Sequence, residues 1–237
     1  MKVRIKFAKS GARRFIGHLD VMRFFQKAIR RAGIDVAYSE GFSPHQIMSF
    51  AAPLGVGLTS NGEYLDIEVR SHAGAEDMKR RLEAVMVEGM EILSVTALEE
   101  GTRNAMASVA AAEYSVRFRQ GYAPDKGWED RLLEFYDRPV LTVKKKTKKS
   151  EVEIDIKPYI YQLSVTGKGK DAVVHMLVNA SSSGNIKPGL VMEAFLREDG
   201  KELSEFALEI RREDTFTDTG EDGNRKLVPL DAVGAGF

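Results

Sequence analysis

Apolar and polar positions alternate from the start of the chain. Val3, Ile5 and Phe7 fall between Lys2, Arg4 and Lys6, which predicts a strand with one apolar and one cationic face. The period then becomes helical over 18–32: Val21, Met22, Phe25, Ala28, Ile29 and Ala32 share one side, and Arg23, Lys27, Arg30 and Arg31 the other. Gly17 before the run, Asp20 in its first turn and Gly33 after it mark the ends. Extended runs follow at 34–38, 46–52 and 63–70, the last two separated by Pro53, Gly55, Gly57 and the Asn61-Gly62 turn signal. A second helix is predicted over 76–86, with Met78, Leu82, Val85 and Met86 inward and Lys79, Arg80 and Arg81 outward. A strand at 90–98 closes the set.

The order strand, helix, strand, strand, helix, strand is met most simply by two helices on one face of a four-stranded sheet. The second half repeats the plan: strand 113–119, helix 128–136, a strand pair at 140–143 and 152–156, extended runs at 160–165 and 172–178, helix 187–196 and strand 206–210. Expected is therefore an α+β protein of two tandem ferredoxin-like (βαββαβ) modules, residues 1–100 and 108–212, the second with an added strand. A linker is expected at 99–107, where Gly101 and Asn104 interrupt the pattern, and a loosely held Thr/Asp/Gly-rich tail at 213–237.

Composition narrows the chemistry. With 237 residues and 43% hydrophobic content the chain can bury a large core. It has no cysteine, which excludes disulfides, thiol catalysis and a cysteine-held zinc ion or iron–sulfur cluster. No phosphate-binding or dinucleotide motif stands out, so no cofactor and no metal site is expected. The N-terminus lacks a signal-like apolar core and no run is long enough to span a bilayer, so a cytoplasmic location without membrane contact is expected. Formal net charge is zero, but residues 1–33 carry ten Lys/Arg against Asp20 alone, and residues 34–100 four against twelve acids. Such an uneven field favours an anionic partner at the N-terminal end.

The candidate nucleic-acid contacts are Arg13, Arg14, Arg23, Lys27, Arg30 and Arg31, as phosphate-positioning groups; an ordinary solvated helix face carries the same residue types. The loop 39–45 holds Ser39, Gly41, Phe42, Ser43, Pro44 and His45. It is either a shaped turn or a site where backbone amides, two hydroxyls and His45 meet a phosphate or base, with Phe42 for stacking. His18 lies at the start of the apolar helix side, as a packing histidine or at a cleft edge. His18 or His45 could serve as general acid or base without metal. The acids Glu63, Asp66 and Glu68 read as a solvated strand rim, and the run Lys144-Lys145-Lys146-Thr147-Lys148-Lys149 as a hairpin tip.

The strings FIGHLD, RRAG, YSEGFSPH, SFAAPLGVG and GEYLDIEV resemble the radical-SAM-associated domain of unknown function, a bacterial family found beside or fused to a B12-binding radical SAM protein. The resemblance implies a radical SAM protein as partner. Without cysteines this chain cannot itself hold that enzyme's cluster, so any role is exerted by contact, through loop 39–45 and the acidic strand 63–68. The readings left open are an accessory RNA-binding protein working with that enzyme in RNA modification or maturation, a metal-independent RNA-processing enzyme using His18 or His45, and a purely protein-binding subunit.

Overall fold

A computed structural model describes residues 1–146, 151–221 and 223–237. The chain is α+β, with antiparallel strands, and divides into two compact units, Met1–Ala110 with Arg212–Phe237, and Ala111–Arg211. In the first unit β1 (Lys2–Lys9) leads through a 3-10 turn at Gly11–Phe15 to α1 (His18–Arg31). Then come β2 (Met48–Phe50), β3 (Thr59–Glu68), α2 (Ala75–Glu83), β4 (Met90–Leu98) and the short α3 (Ala105–Ser108).

β1 pairs antiparallel with both β3 and β4, and β2 pairs with the later half of β3, which gives the order β4-β1-β3-β2. The alternation explains the core. Val3, Ile5 and Phe7 point to the side where Val21, Phe25 and Ile29 of α1 and Met78 and Leu82 of α2 pack, all fully buried or nearly so. Phe7, Phe25 and Phe50 form an aromatic cluster with centroids 4.6–6.2 Å apart. Arg81, expected to face outward, instead donates to the carbonyls of Ala32 and Gly33, satisfying orphan acceptors at the end of α1.

The second unit contains β5 (Ala111–Phe118), α4 (Trp128–Tyr136), β6 (Thr142–Lys146), β7 (Glu151–Asp155), β8 (Ile160–Thr166), β9 (Val173–Asn179) and α5 (Pro188–Glu198). It also holds the start of β10 (Leu208–Asp218), in the order β10-β5-β9-β8. Trp128, Leu132 and Phe135 of α4 and Val191, Met192 and Phe195 of α5 pack on Tyr114, Val116, Met176 and Val178. β6 and β7 form a separate two-stranded sheet, so two strands rather than one stand outside the unit's main sheet. Of the lysine run, Lys144–Lys146 lie in β6 and 147–149 fall outside the described residues.

The segment after Glu213 is not the loosely held tail its composition suggests. β10 continues to Asp218, β11 (Leu227–Pro229) pairs with it, and a 3-10 turn at Leu230–Val233 buries Leu230 completely. Ala235 bridges to Ala97, and the Phe237 carbonyl accepts from the Ala75 amide at 2.9 Å. Local composition hides this because the holding groups are distant acids: Asp214 meets Lys6 Nζ at 2.6 Å, and Asp231 accepts from Ser94 Oγ at 2.8 Å. The Asn61-Gly62 signal is likewise not a turn. Both residues lie inside β3, and a Cβ at Gly62 would collide with the backbone of Asp214 on β10.

This segment covers the cationic side of β1. Arg4, completely buried, makes a bidentate pair with Asp66 at 2.8 and 2.9 Å and donates to the Leu230 carbonyl at 2.8 Å. Asp66 also accepts from the Ala105 amide at 2.6 Å, which fixes the start of α3. The Tyr64 hydroxyl lies 2.6 Å from Asp214 Oδ1 and 3.1 Å from Asp231 Oδ1. Burial, followed by these two carboxylates, pushes its pKa well above the ordinary tyrosine value. The acids 63–68 are therefore no solvated rim: Glu63 and Asp66 are buried and paired, and only Glu68 keeps partial exposure. Glu63 and Asp66 are thus spent inside the fold, so of the acidic contact surface expected on this strand only Glu68 remains.

Candidate functional site

Three features of the first unit bear on the site, and two of them are built from residues that the sequence brings forward. The first is the outer side of α1. Burial of Val21, Phe25, Ala28 and Ile29 fixes the helix's rotation and leaves Arg23, Lys27, Arg30 and Arg31 exposed. Arg23 stands 3.5 Å from Asp20 in a solvated pair, whereas Lys27, Arg30 and Arg31 have no ion pair among the described residues. Arg13 and Arg14 do not join this row. Both are half-buried in the 3-10 turn, where Arg13 donates to the Glu88 carbonyl at 3.3 Å and the Arg14 carbonyl accepts from the Gly57 amide at 2.8 Å.

The second is the loop 39–45. Tyr38 and Gln46 bridge at its base, and the Ser39 amide donates to the His45 carbonyl at 2.8 Å. Ser39 Oγ accepts from the His45 amide at 3.1 Å and lies 2.8 Å from His45 Nδ1. The Ser39 hydroxyl is thus spent inside the loop, and it directs the other ring nitrogen, Nε2, away from the loop's own contacts. Gly41, with φ of 105°, makes the bend that carries Phe42, whose ring is fully exposed. Gln46, buried below, donates through Nε2 to the Gln26 carbonyl at 3.2 Å, and Arg30 Nε donates to the same carbonyl at 3.3 Å. One backbone atom of α1 therefore ties the loop to the cationic row.

The third was missed in the sequence. Lys9 continues the odd-numbered, apolar side of β1, and Glu63 continues the side of Leu65 and Ile67 on β3. Each places a charge at the end of the core, where a small cavity is lined by Lys9, Glu63, His18, Phe50 and Leu54 among others. Lys9 is only 2% exposed, and its ammonium donates to the Ile16 carbonyl at 2.9 Å. Burial pushes the Lys9 pKa down, opposed by the nearby Glu63 carboxylate. Glu63 is itself held by Arg212 at 2.8 Å. The His18 ring stands edge-on to Phe50 at 5.2 Å, so it belongs to the cavity wall and not to the helix's cationic row. The signal available was the break in alternation: a lysine and a glutamate at positions where their strands otherwise bury apolar side chains. His18 and His45 are on separate features, with no acid hydrogen-bonded to either ring among the described residues.

No group of three His, Cys, Asp or Glu side chains is arranged to hold a metal ion among the described residues. No helix among them is long and apolar enough to cross a membrane.

Residues 2–188 match the family described as an uncharacterized protein conserved in bacteria, DUF2344. The chain belongs to that family. This establishes a bacterial domain of unknown function and says nothing of a radical SAM partner. No curated protein matches the chain. Among solved structures it is similar to a chain of the crystal structure of a Cbf5-Nop10-Gar1 complex, at 10% identity and a TM-score of 0.49. The similarity covers 90% of this chain and 48% of that one, so this chain spans about half of that chain's length. The likeness is too slight to carry fold or function across.

Proposed function

We propose that the outer side of α1 and the loop 39–45 form a nucleic-acid interface, and that the protein is an accessory RNA-binding protein without chemistry of its own. The observation that carries this reading is the Gln26 carbonyl, which accepts from both Arg30 of the cationic row and Gln46 at the foot of the loop that carries the fully exposed Phe42. Cations of this kind position phosphates, and an aromatic side chain without neighbours offers a face to an unstacked base. His45 adds a ring nitrogen at the same loop. The test is RNA affinity against salt concentration for the native chain and for the Arg23→Gln, Lys27→Gln, Arg30→Gln triple variant. Each lost phosphate contact lowers the log–log slope by about 0.7–0.9. A native chain that fails to bind RNA at low salt, or a triple variant with an unchanged slope, rejects the interface.

The resemblance in the N-terminal 70 residues supports a further part of this reading, that the RNA is delivered to a radical SAM enzyme, since a chain without cysteine must leave that cluster to another protein. Contact with a protein is also favoured by Phe15, Leu19 and Val56, each at least 60% exposed. The bond from the Gly57 amide to the Arg14 carbonyl brings their two segments together. Exposed aromatic and aliphatic side chains beside arginine are the composition of interface centres. Co-expression and pull-down with and without ribonuclease separates the cases: a complex that survives ribonuclease is direct, and no complex in either arm removes the enzyme from the reading.

We read each unit as a ferredoxin-like module. The support is the order β4-β1-β3-β2 in one and β10-β5-β9-β8 in the other, with a helix after the first and third strand of each set.

A further inference from the structure

The cavity at the end of the first unit's core combines features that a packing defect would not. Its volume is about 10 Å³, room for a single oxygen-sized atom. The Lys9 ammonium on its wall has three donors, and only the one to Ile16 is taken up among the described residues. The carboxylate on the same wall, Glu63, is neutralised by Arg212, which also donates to the Ala52 carbonyl at 3.1 Å. Among the described residues no acid is hydrogen-bonded to the desolvated Lys9 ammonium, and Glu63 acts on it only through its nearby charge. His18, the first residue of α1, supplies a ring on the wall. Gly17 at the helix cap has no side chain to cap the first turn; the Asp20 and Val21 amides bond its carbonyl, and those of His18 and Leu19 have no backbone acceptor among the described residues.

We propose that this pocket binds a phosphate group, one oxygen entering the cavity beside Lys9 while the others meet the His18 ring and the amides of His18 and Leu19. The inference goes beyond the interface described above and stands without it, because a phosphate ester or inorganic phosphate would satisfy the same donors. It also gives a reason for a lysine at a buried position, where an arriving anion supplies the charge that burial denies it.

The test uses the full chain, with inorganic phosphate and two short oligonucleotides of one sequence, 5′-phosphorylated and 5′-hydroxyl, followed by amide and histidine NMR shifts. Expected are saturable shifts at His18 and Leu19 with inorganic phosphate, and a loss of affinity of about tenfold in His18→Gln, as for one charge-assisted hydrogen bond. Lys9→Met is expected to abolish the shifts while circular dichroism stays native. Should Lys9→Met fail to fold, His18→Gln decides alone. A preference for the 5′-phosphorylated oligonucleotide assigns the pocket to RNA ends; shifts with inorganic phosphate alone assign it to small phosphate compounds, and both support the site. Amides that respond to neither probe, or folded variants that bind as the native chain does, overturn it. If phosphate binds while no oligonucleotide does, the pocket stands and the RNA interface falls.

Discussion

The cations of β1 and those of α1 lie within the same 33 residues and have opposite fates. Arg4 and Lys6 are drawn under the C-terminal segment and matched to Asp66, Asp214 and Asp231, whereas Lys27, Arg30 and Arg31 stay in solvent with no acid paired to them among the described residues. Each arrangement costs something different. A buried ion pair spends most of its Coulomb energy on desolvation, so it fixes geometry more than it stabilises, and removing one partner leaves a charge stranded. An exposed cation adds little to stability and keeps its charge available to a phosphate. A count of ten bases in this stretch therefore overstates the field that a nucleic acid would meet, and half of it serves the fold.

The contrast can be broken most forcefully at Asp66. Asp66→Ala leaves Arg4 buried and unpaired and should cost about 3–5 kcal/mol in a urea titration. If the loss instead matches that of a surface change, under about 0.5 kcal/mol, Arg4 is reaching solvent and the buried set is misread. Tyr64→Phe comes next, at about 1.5–3 kcal/mol for a hydrogen bond to a charged group. Because the folded-state pKa of Tyr64 is raised, its contribution is complete below the unfolded value of about 10 and is lost as pH climbs beyond it. Native stability should therefore fall above pH ~10, and Tyr64→Phe should flatten that fall. On the exposed side, Phe42→Ala should weaken RNA binding by about 1–3 kcal/mol, with the urea midpoint unmoved. The smallest effect is expected for Asp20→Asn, which removes the solvated pair with Arg23 and should change stability by less than about 0.5 kcal/mol.

Much of the local structure is written in periodicity. The alternation of Val3, Ile5 and Phe7 and the helical spacing from Val21 to Ile29 place β1 and α1 correctly, and α4 runs over Trp128–Tyr136 as its pattern implies. The cavity was half written: Lys9 and Glu63 break the apolar alternation, but nothing local shows that the two strands set them at one end of the core beside His18. The loop 39–45 was recognisable from Ser39, Gly41 and Pro44, yet only the shared Gln26 carbonyl joins it to the cationic helix.

What the sequence by itself determined is where strands and helices form and which side of each is apolar, since backbone geometry repeats over two or 3.6 residues and needs no distant partner. Only the tertiary structure decided which charges are spent. The partner of Lys6 lies 208 positions away at Asp214, and that of Arg212 lies 149 positions back at Glu63. Burial and Coulomb attraction depend on distance in space, over a few ångströms, and chain order carries no record of that distance.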